Sequence, residues 1–293
     1  MKKLYYLNFI LVLLATCFLP KFAFSTFHDT NIAKPYITVN YQPTVSNFRN
    51  FHIKETNFDT KKPIEVNINS TGISSRYFKN REFAFYSSHN KHYESYKNDL
   101  SAFTTSIGIS LKNFKIEAEG SYKVFDVFDF RNYAIQGAHN IFALPRETNS
   151  YGMYPLDRPS LRNKNTGYTI LKNNGIAIIS NMINLCYEKQ SNNFTPYICF
   201  GIGGDFIEIF DTTRIKAAYQ GKIGISYPLT SRTNLLISGQ YHKVIGNQFK
   251  ELPTLQIVEL KRLPERQPEY DVTALLTLDI EYFSGEVGLS FTL

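Results

Sequence analysis

Residues 219–247, YQGKIGISYPLTSRTNLLISGQYHKVIGN, alternate between two kinds of side chain. Tyr219, Ile223, Ile225 and Tyr227 share one parity, interrupted by Gly221, while Gln220, Lys222, Gly224 and Ser226 hold the other. After Pro228–Arg232 the pattern resumes, with Leu235, Ile237 and Tyr241 against Ser238, Gln240 and His242. A period of two over this length marks strands with unlike faces. It does not say which face is inside.

The same reading yields six further alternating segments, near 35–43, 102–111, 114–127, 175–188, 195–210 and 271–293. In the last, the apolar parity is even from Val272 to Tyr282 and odd from Val287 to Leu293. A switch at Ser284–Gly285 is what a β-bulge would produce. The connections at 112–113, 189–193, 211–213 and 228–232 are short, and those at 44–99, 128–171 and 247–270 are long and polar. Loops of that length are uncommon in compact soluble domains. Tight turns at one rim and long loops at the other are the arrangement of outer-membrane barrels.

The polar parity then has a natural place. Eight strands leave an interior just wide enough for side chains, which suits the Ser, Gly, Thr, Gln, Lys and Glu of that parity. The apolar parity, with Tyr and Phe near the strand ends, suits a lipid band flanked by aromatics. The expected fold is an all-β, eight-stranded antiparallel transmembrane barrel. An even strand count puts both ends in the periplasm and the three long loops outside.

Composition narrows the compartment. A mean hydropathy of −0.24 excludes a bundle of membrane helices, each of which needs roughly 20 apolar residues. The start, MKKLYYLNFILVLLATCFLPKFAFS, has two lysines, an apolar stretch from Leu4 to Leu19 and then Ala23-Phe24-Ser25. That order predicts an export signal cut after Ser25, leaving residues 26–293 as the barrel domain. An uncleaved anchor and a lipoprotein cut before Cys17 are the rival readings. Cleavage removes three of the 32 basic residues and leaves a small, dispersed positive excess, which does not point to nucleic acid.

Candidate chemistry is sparse. The glycine-rich run GIGGD at 201–205 continues into Phe206, Ile207 and Ile209 as a strand, whereas a dinucleotide loop must open a helix. His89 and His92, in SSHNKHYES, lack a cysteine or helical frame for a metal. No metal and no cofactor is expected. Lys115, Glu117 and Glu119, with Lys216 and Lys222, form a mixed-charge set on the lumen parity. They read either as a filter for polar solutes or as ion pairs that plug the barrel, since charges must pair where water is scarce. His242 shares that parity, within reach of Asp279 or Glu281 on the last strand, but no nucleophile motif accompanies it.

At this point longer blocks become informative. NLCYE, NNFTPYICFGIGGDF, AAYQGKIGISYPLT and QYHKVIGNQFKELPT, with YITVNYQPTVSNFRNFHIKET and IEAEGSYKVFDV before them, resemble the major surface antigens of Ehrlichia, Anaplasma and Wolbachia outer membranes. The segments 55–99, 128–170 and 255–270 match poorly. The resemblance implies a surface-exposed, immunodominant barrel without enzymatic activity, some relatives of which are credited with porin activity. It implies outer-membrane lipid, the barrel assembly machinery, host surface molecules and antibodies as partners. Relatives usually finish in Phe, whereas this chain reads Phe291-Thr292-Leu293. A membrane enzyme barrel of acyltransferase or protease type, or a soluble exported ligand-binding barrel, are the alternative functions.

Cys186 and Cys199 share the lumen parity of neighbouring strands, and they fall opposite one another if Lys189 pairs with Pro196. Facing residues lie within disulfide range, and export permits oxidation. The open alternatives are a disulfide and two buried thiols. A bond would close a loop of roughly 14 residues, for which chain entropy gives about 3 kcal/mol, less where the ladder already restrains the hairpin. Mass spectrometry of alkylated, non-reduced protein tests it: the disulfide predicts no alkylation before reduction, and two alkylated thiols would exclude it.

Overall fold

The computed structural model describes residues 33–57, 59–60, 62–66, 85–86, 94–128, 140–145, 168–189, 194–258 and 272–293. The expected export signal, His89 and His92 lie outside them. Eight strands form the wall: β1 (Lys34–Tyr41), β2 (Phe103–Leu111), β3 (Phe114–Phe125), β4 (Ile176–Glu188), β5 (Thr195–Ile209), β6 (Thr212–Pro228), β7 (Thr233–Val244) and β8 (Glu281–Thr292). Each pairs antiparallel with the next, and β8 pairs back onto β1 from Tyr36↔Thr292 to Tyr41↔Val287. The ladder therefore closes into a ring with no edge strand.

Turn chemistry sets the rims. Lys112, at φ 50°, turns β2 into β3. At the opposite rim Phe210 and Asp211 both take positive φ between the paired Ile209 and Thr212, the two-residue turn that matches strand twist. The short 112–113, 189–194 and 229–232 connections share a rim with the start of β1 and the end of β8, where Leu293 N–H bonds to the Pro35 carbonyl at 3.0 Å. By the barrel rule this is the periplasmic side.

Alternation now has a direction. Ile37, Val39, Ile107, Ile116, Leu185, Ile198, Phe200, Ile202, Ile223, Ile237 and Val287 point out of the wall and are exposed. Thr38, Asn40, Thr104, Ser106, Glu119, Asn184, Gln220, Lys222, Ser238, Gln240 and Glu286 point in and are buried. With lipid outside, the first set needs no protein cover, and the second escapes hydrocarbon.

One expectation fails here. There is no β-bulge at Ser284–Gly285: the β7–β8 register is unbroken from Thr233↔Phe291 to Lys243↔Glu281. Even residues face inward all the way up, from Ser290, Glu286 and Ser284 through Tyr282, Ile280, Leu278, Leu276 and Ala274. What changes at Ser284 is the chemistry of the interior. Below that height the inward face is a polar lumen; above it the inward face is a protein core.

That core is built by the long connections, which fold. Arg49–Glu55, Thr273–Asp279 and Gln248–Pro253 form a three-stranded sheet that continues β1, β8 and β7 outward. Gln256–Val258, Tyr168–Lys172, Ile141–Pro145, Ile64–Val66 and Phe85–Tyr86 form a second sheet. Phe142, Leu144 and Leu171 of the second, with Ile53, Phe249, Leu252 and Leu276 of the first, join Phe125, Ile176, Ile178, Ile207, Ile209 and Tyr282 from the wall in a single buried cluster. Phe210 tucks in from the β5–β6 turn, its ring 6.1 Å from that of Phe142. Each such side chain contributes about 1.5–3 kcal/mol by leaving water. Thr169 donates to the buried Glu55 carboxylate and ties the two sheets together.

The wall predicts an asymmetric response to charge. Ile223, 69% exposed and near the middle of β6, meets hydrocarbon, so Ile223→Arg costs about 2–4 kcal/mol in a lipid refolding titration. Ser226→Arg, placed inside, costs less; equal penalties would reverse the assignment of faces.

Candidate functional site

The interior of the barrel is occupied in tiers. At the periplasmic end Lys115 pairs with Glu188 on the adjacent strand, and its ammonium sits 5.0 Å from the centre of the Tyr36 ring. Among the described residues, Glu117 forms no ion pair with a lysine. It accepts instead from Tyr36 Oη at 3.0 Å, Asn184 Nδ2 at 3.0 Å and Ser106 Oγ at 3.4 Å. A cavity of about 30 Å³ remains between them, bounded by Tyr36, Asn40, Glu117, Glu188, Tyr197 and Ser290, with room for about two waters.

Cys186 lies directly opposite Cys199 in the β4–β5 register, with the Lys189 N–H bonded to the Pro196 carbonyl at 3.0 Å. Their sulfurs are joined, with Cα atoms 3.9 Å apart. Glu117 lies close enough to complete a three-ligand group, but disulfide sulfurs are not thiolates and offer a metal nothing.

The middle tier spans the barrel. Lys222 on β6 pairs with Glu119 on β3, and its ammonium lies 3.2 Å from Glu286 Oε1 on β8. One ammonium between two carboxylates leaves a net negative charge, and amide donors from Asn184 and Gln42 help to satisfy the two acids. Around it runs a belt of amides. Carboxylates only accept, so Asn184 turns Nδ2 to Glu119 at 2.9 Å and leaves Oδ1 to accept from Gln220 Nε2 at 2.7 Å. Gln220 Oε1 in turn accepts from Gln240 Nε2 at 2.5 Å, and Gln240 accepts from Gln42, which also donates to Glu286 at 2.5 Å. The belt needs a small residue where it crosses β5. A Cβ on Gly201 would fall 1.9 Å from Asn184 Oδ1, so this glycine of the GIGGD run clears space for an amide.

His242 closes the polar interior. Its Nε2 lies 2.8 Å from Asp205 Oδ2 and its Nδ1 3.2 Å from Gln220 Oε1, while its ring stacks on Tyr282 at 4.5 Å. The partner is therefore Asp205, not Asp279 or Glu281. Asp279 accepts from Asn50 at 2.5 Å, and Glu281 pairs with Arg49 and Lys243 at the outer rim. Lys123 donates to Ser121 Oγ at 2.8 Å and stands over the Tyr282 ring at 5.1 Å.

Of the mixed-charge set read from the sequence, Lys115, Glu117, Glu119 and Lys222 line this interior. Lys216 shares their parity but not their place. It sits above the lattice, donating to the Gln248 carbonyl at 2.8 Å. Gln42, Asp205, Gln220, Gln240 and Glu286 join them; the polar parity places Gln42, Gln220 and Gln240 inside, but the partners of all five lie on strands remote in sequence and are not legible from it. Outside the wall, burial raises the Tyr96 phenol above its ordinary range, opposed by donation from Asn173 Nδ2 at 2.8 Å.

Residues 27–293 match the surface antigen family. The chain belongs to that family. It is 28% identical over 229 residues to Major surface antigen 4 of Anaplasma marginale, covering 74% of this chain and 72% of the relative. Among solved structures, the outer membrane protein OprG of Pseudomonas aeruginosa is similar at a TM-score of 0.45 and 10% identity, over 90% of this chain and 97% of that one. Neisserial surface protein A aligns at 0.39 and 6% identity, over 89% and 99%. This surface antigen resides in the outer membrane and is exposed at the cell surface.

Removing the central cation tests the lattice. Lys222→Met leaves Glu119 and Glu286 unpaired in the interior and costs about 3–5 kcal/mol in urea unfolding from detergent. Adding Glu119→Gln to that variant recovers part of the loss. An unchanged midpoint for Lys222→Met would show that the lattice contributes nothing.

Proposed function

We propose that this surface antigen acts by display and contact: the barrel is a closed stand, and the folded outer sheets are its working surface toward host molecules and antibodies. One observation carries the reading. The interior is occupied from the Lys115–Glu188 pair through the Lys222 tier to His242, and the apolar cluster then covers the mouth. Solute passage, credited to some members of the family, would require polar side chains from at least five strands to move together and the cover to lift. Breaking buried pairs of this kind costs several kcal/mol each, so conduction in this conformation is disfavoured.

The reading needs no reaction. His242 and Asp205 form a pair with no exposure to solvent, and a catalytic pair must reach its substrate. The barrel assembly machinery, as a further partner in this reading, adds nothing to the choice between display and passage.

Liposomes carrying the purified barrel, challenged with arabinose and with raffinose, separate the two. Display predicts swelling at the protein-free rate, together with cleavage of the 44–99, 128–171 and 247–270 segments when protease is applied to intact cells. Swelling in arabinose that falls off with sugar size would replace display by conduction. Cleavage confined to 189–193 and 228–232 would turn the molecule over.

A further inference from the structure

At the outer rim the wall has a seam. Pairing between β6 and β7 ends at Ala218↔Val244, followed by one bond from Ile245 N–H to the Ala217 carbonyl at 2.7 Å. Beyond that point β6 continues upward to Thr212, paired only with β5. The chain after β7 turns away at Gly246, where φ is 84°, and joins Thr273–Asp279 as Gln248–Pro253. Two strand edges thus face one another without a ladder between them.

Their polar groups do not balance. Since the Ala217 carbonyl faces β7, so do the main-chain groups of Ile215 and Thr213 on the same parity, and no strand of the described residues pairs with them there. The opposing carbonyls are already taken: Gln248 by Lys216 Nζ at 2.8 Å, and Lys250 by Arg214 Nη2 at 2.7 Å. What remains in the seam is the Ile215 carbonyl, the N–H groups of Thr213 and Ile215, and an excess of positive charge. Arg214, Lys216 and Lys250 meet there, and among the described residues none of them forms an ion pair with a carboxylate. Asp205, directly across the ladder from Lys216, is turned to His242. Glu208 and Glu251 stand nearby along the two strands, unpaired with any of the three. Elsewhere in the interior, Lys115 and Lys222 are each matched to an acid, while the buried Lys123 donates to Ser121 and stands over the Tyr282 ring.

The height of the seam identifies the anion. Ile215 and Ile245 point outward beside it, 70% and 54% exposed, so the apolar band reaches this level and the donors begin where it stops. We propose that the β6 seam binds the phosphate of an anionic phospholipid in the outer leaflet, held by Lys216, Arg214 and the open N–H groups of Thr213 and Ile215, with Lys250 above it. A phosphodiester supplies the acceptors the seam lacks, and its acyl chains lie along Ile215 and Ile245. Lys216 is positioned for this between the Phe249 ring, 5.1 Å away, and Gly246. The proposal is independent of whether the lumen conducts.

Native mass spectrometry of barrel released from bilayers of phosphatidylcholine with phosphatidylglycerol tests it. The wild-type protein retains phosphatidylglycerol in preference to phosphatidylcholine. Arg214→Gln with Lys216→Gln lowers the retained fraction at least about tenfold, the loss expected for two cations near an anionic surface. Lys112→Gln, at the opposite rim, leaves it unchanged, and Arg214→Lys with Lys216→Arg largely preserves it. Folding of each variant is read from its heat-dependent gel mobility. Equal retention of both lipids by the wild type, or by the double Gln variant and the wild type, would overturn the proposal. Displacement by soluble glycerol 3-phosphate at equal concentration would overturn the lipid assignment and leave a site for small anions.

Discussion

Closure of eight strands into a ring sets everything else. Once β8 bonds to β1, the main-chain groups of the wall are satisfied within it everywhere below the β6 seam, which is the condition for crossing hydrocarbon. The same closure fixes a bore no wider than the side chains that enter it. Inward residues have no solvent to fall back on and must satisfy one another. Lys222 between Glu119 and Glu286, and the amide belt from Gln42 to Asn184, are the result. Gly201 belongs to the same account, as the place where the bore is too narrow for a side chain and an amide together.

Height is the second variable. A single inward parity passes through two surroundings, a polar lumen at membrane level and an apolar core above it. Ile178 and Asn184 lie on one face of one strand, yet the first packs against the cover and the second joins the belt. The boundary is marked by residues that belong to both. Tyr282 lies in the apolar cluster, stacks on His242 and places its hydroxyl 3.3 Å from Ser180 Oγ.

Sequence pattern made the wall legible because lipid and lumen impose opposite demands on adjacent residues, and a period of two records that opposition at every step. The outward placement of Ile223 and Ile225 and the inward placement of Ser226 follow from it. The apparent bulge at Ser284–Gly285 shows where parity alone is ambiguous. An extra residue and a change of surroundings both move the apolar residues to the other parity, and only a partner strand with a fixed register tells them apart. The cover was hidden for a different reason. Its strands are short, and Phe142, Leu144 and Leu171 sit between segments whose polarity reads as loop. His242 faces inward as expected but pairs with Asp205: Asp279 and Glu281, no nearer in the chain, would share its face only if the last strand shifted register at Ser284–Gly285, and it does not.

The continuation of β1, β7 and β8 into the three-stranded outer sheet bears on how the molecule withstands force. A particle or cell held by that sheet pulls along the strand axes, and the hydrogen bonds of an antiparallel ladder lie across those axes. Load applied this way is shared by many bonds at once, in shear, instead of opening them one after another as a hairpin is peeled. The five-stranded sheet joins the wall through Asn173–Gly175, which lead Tyr168–Lys172 into β4, and is tied to the first sheet through the shared core and the Thr169–Glu55 bond. Held by the first sheet, the molecule is tethered to the membrane through three strands at once.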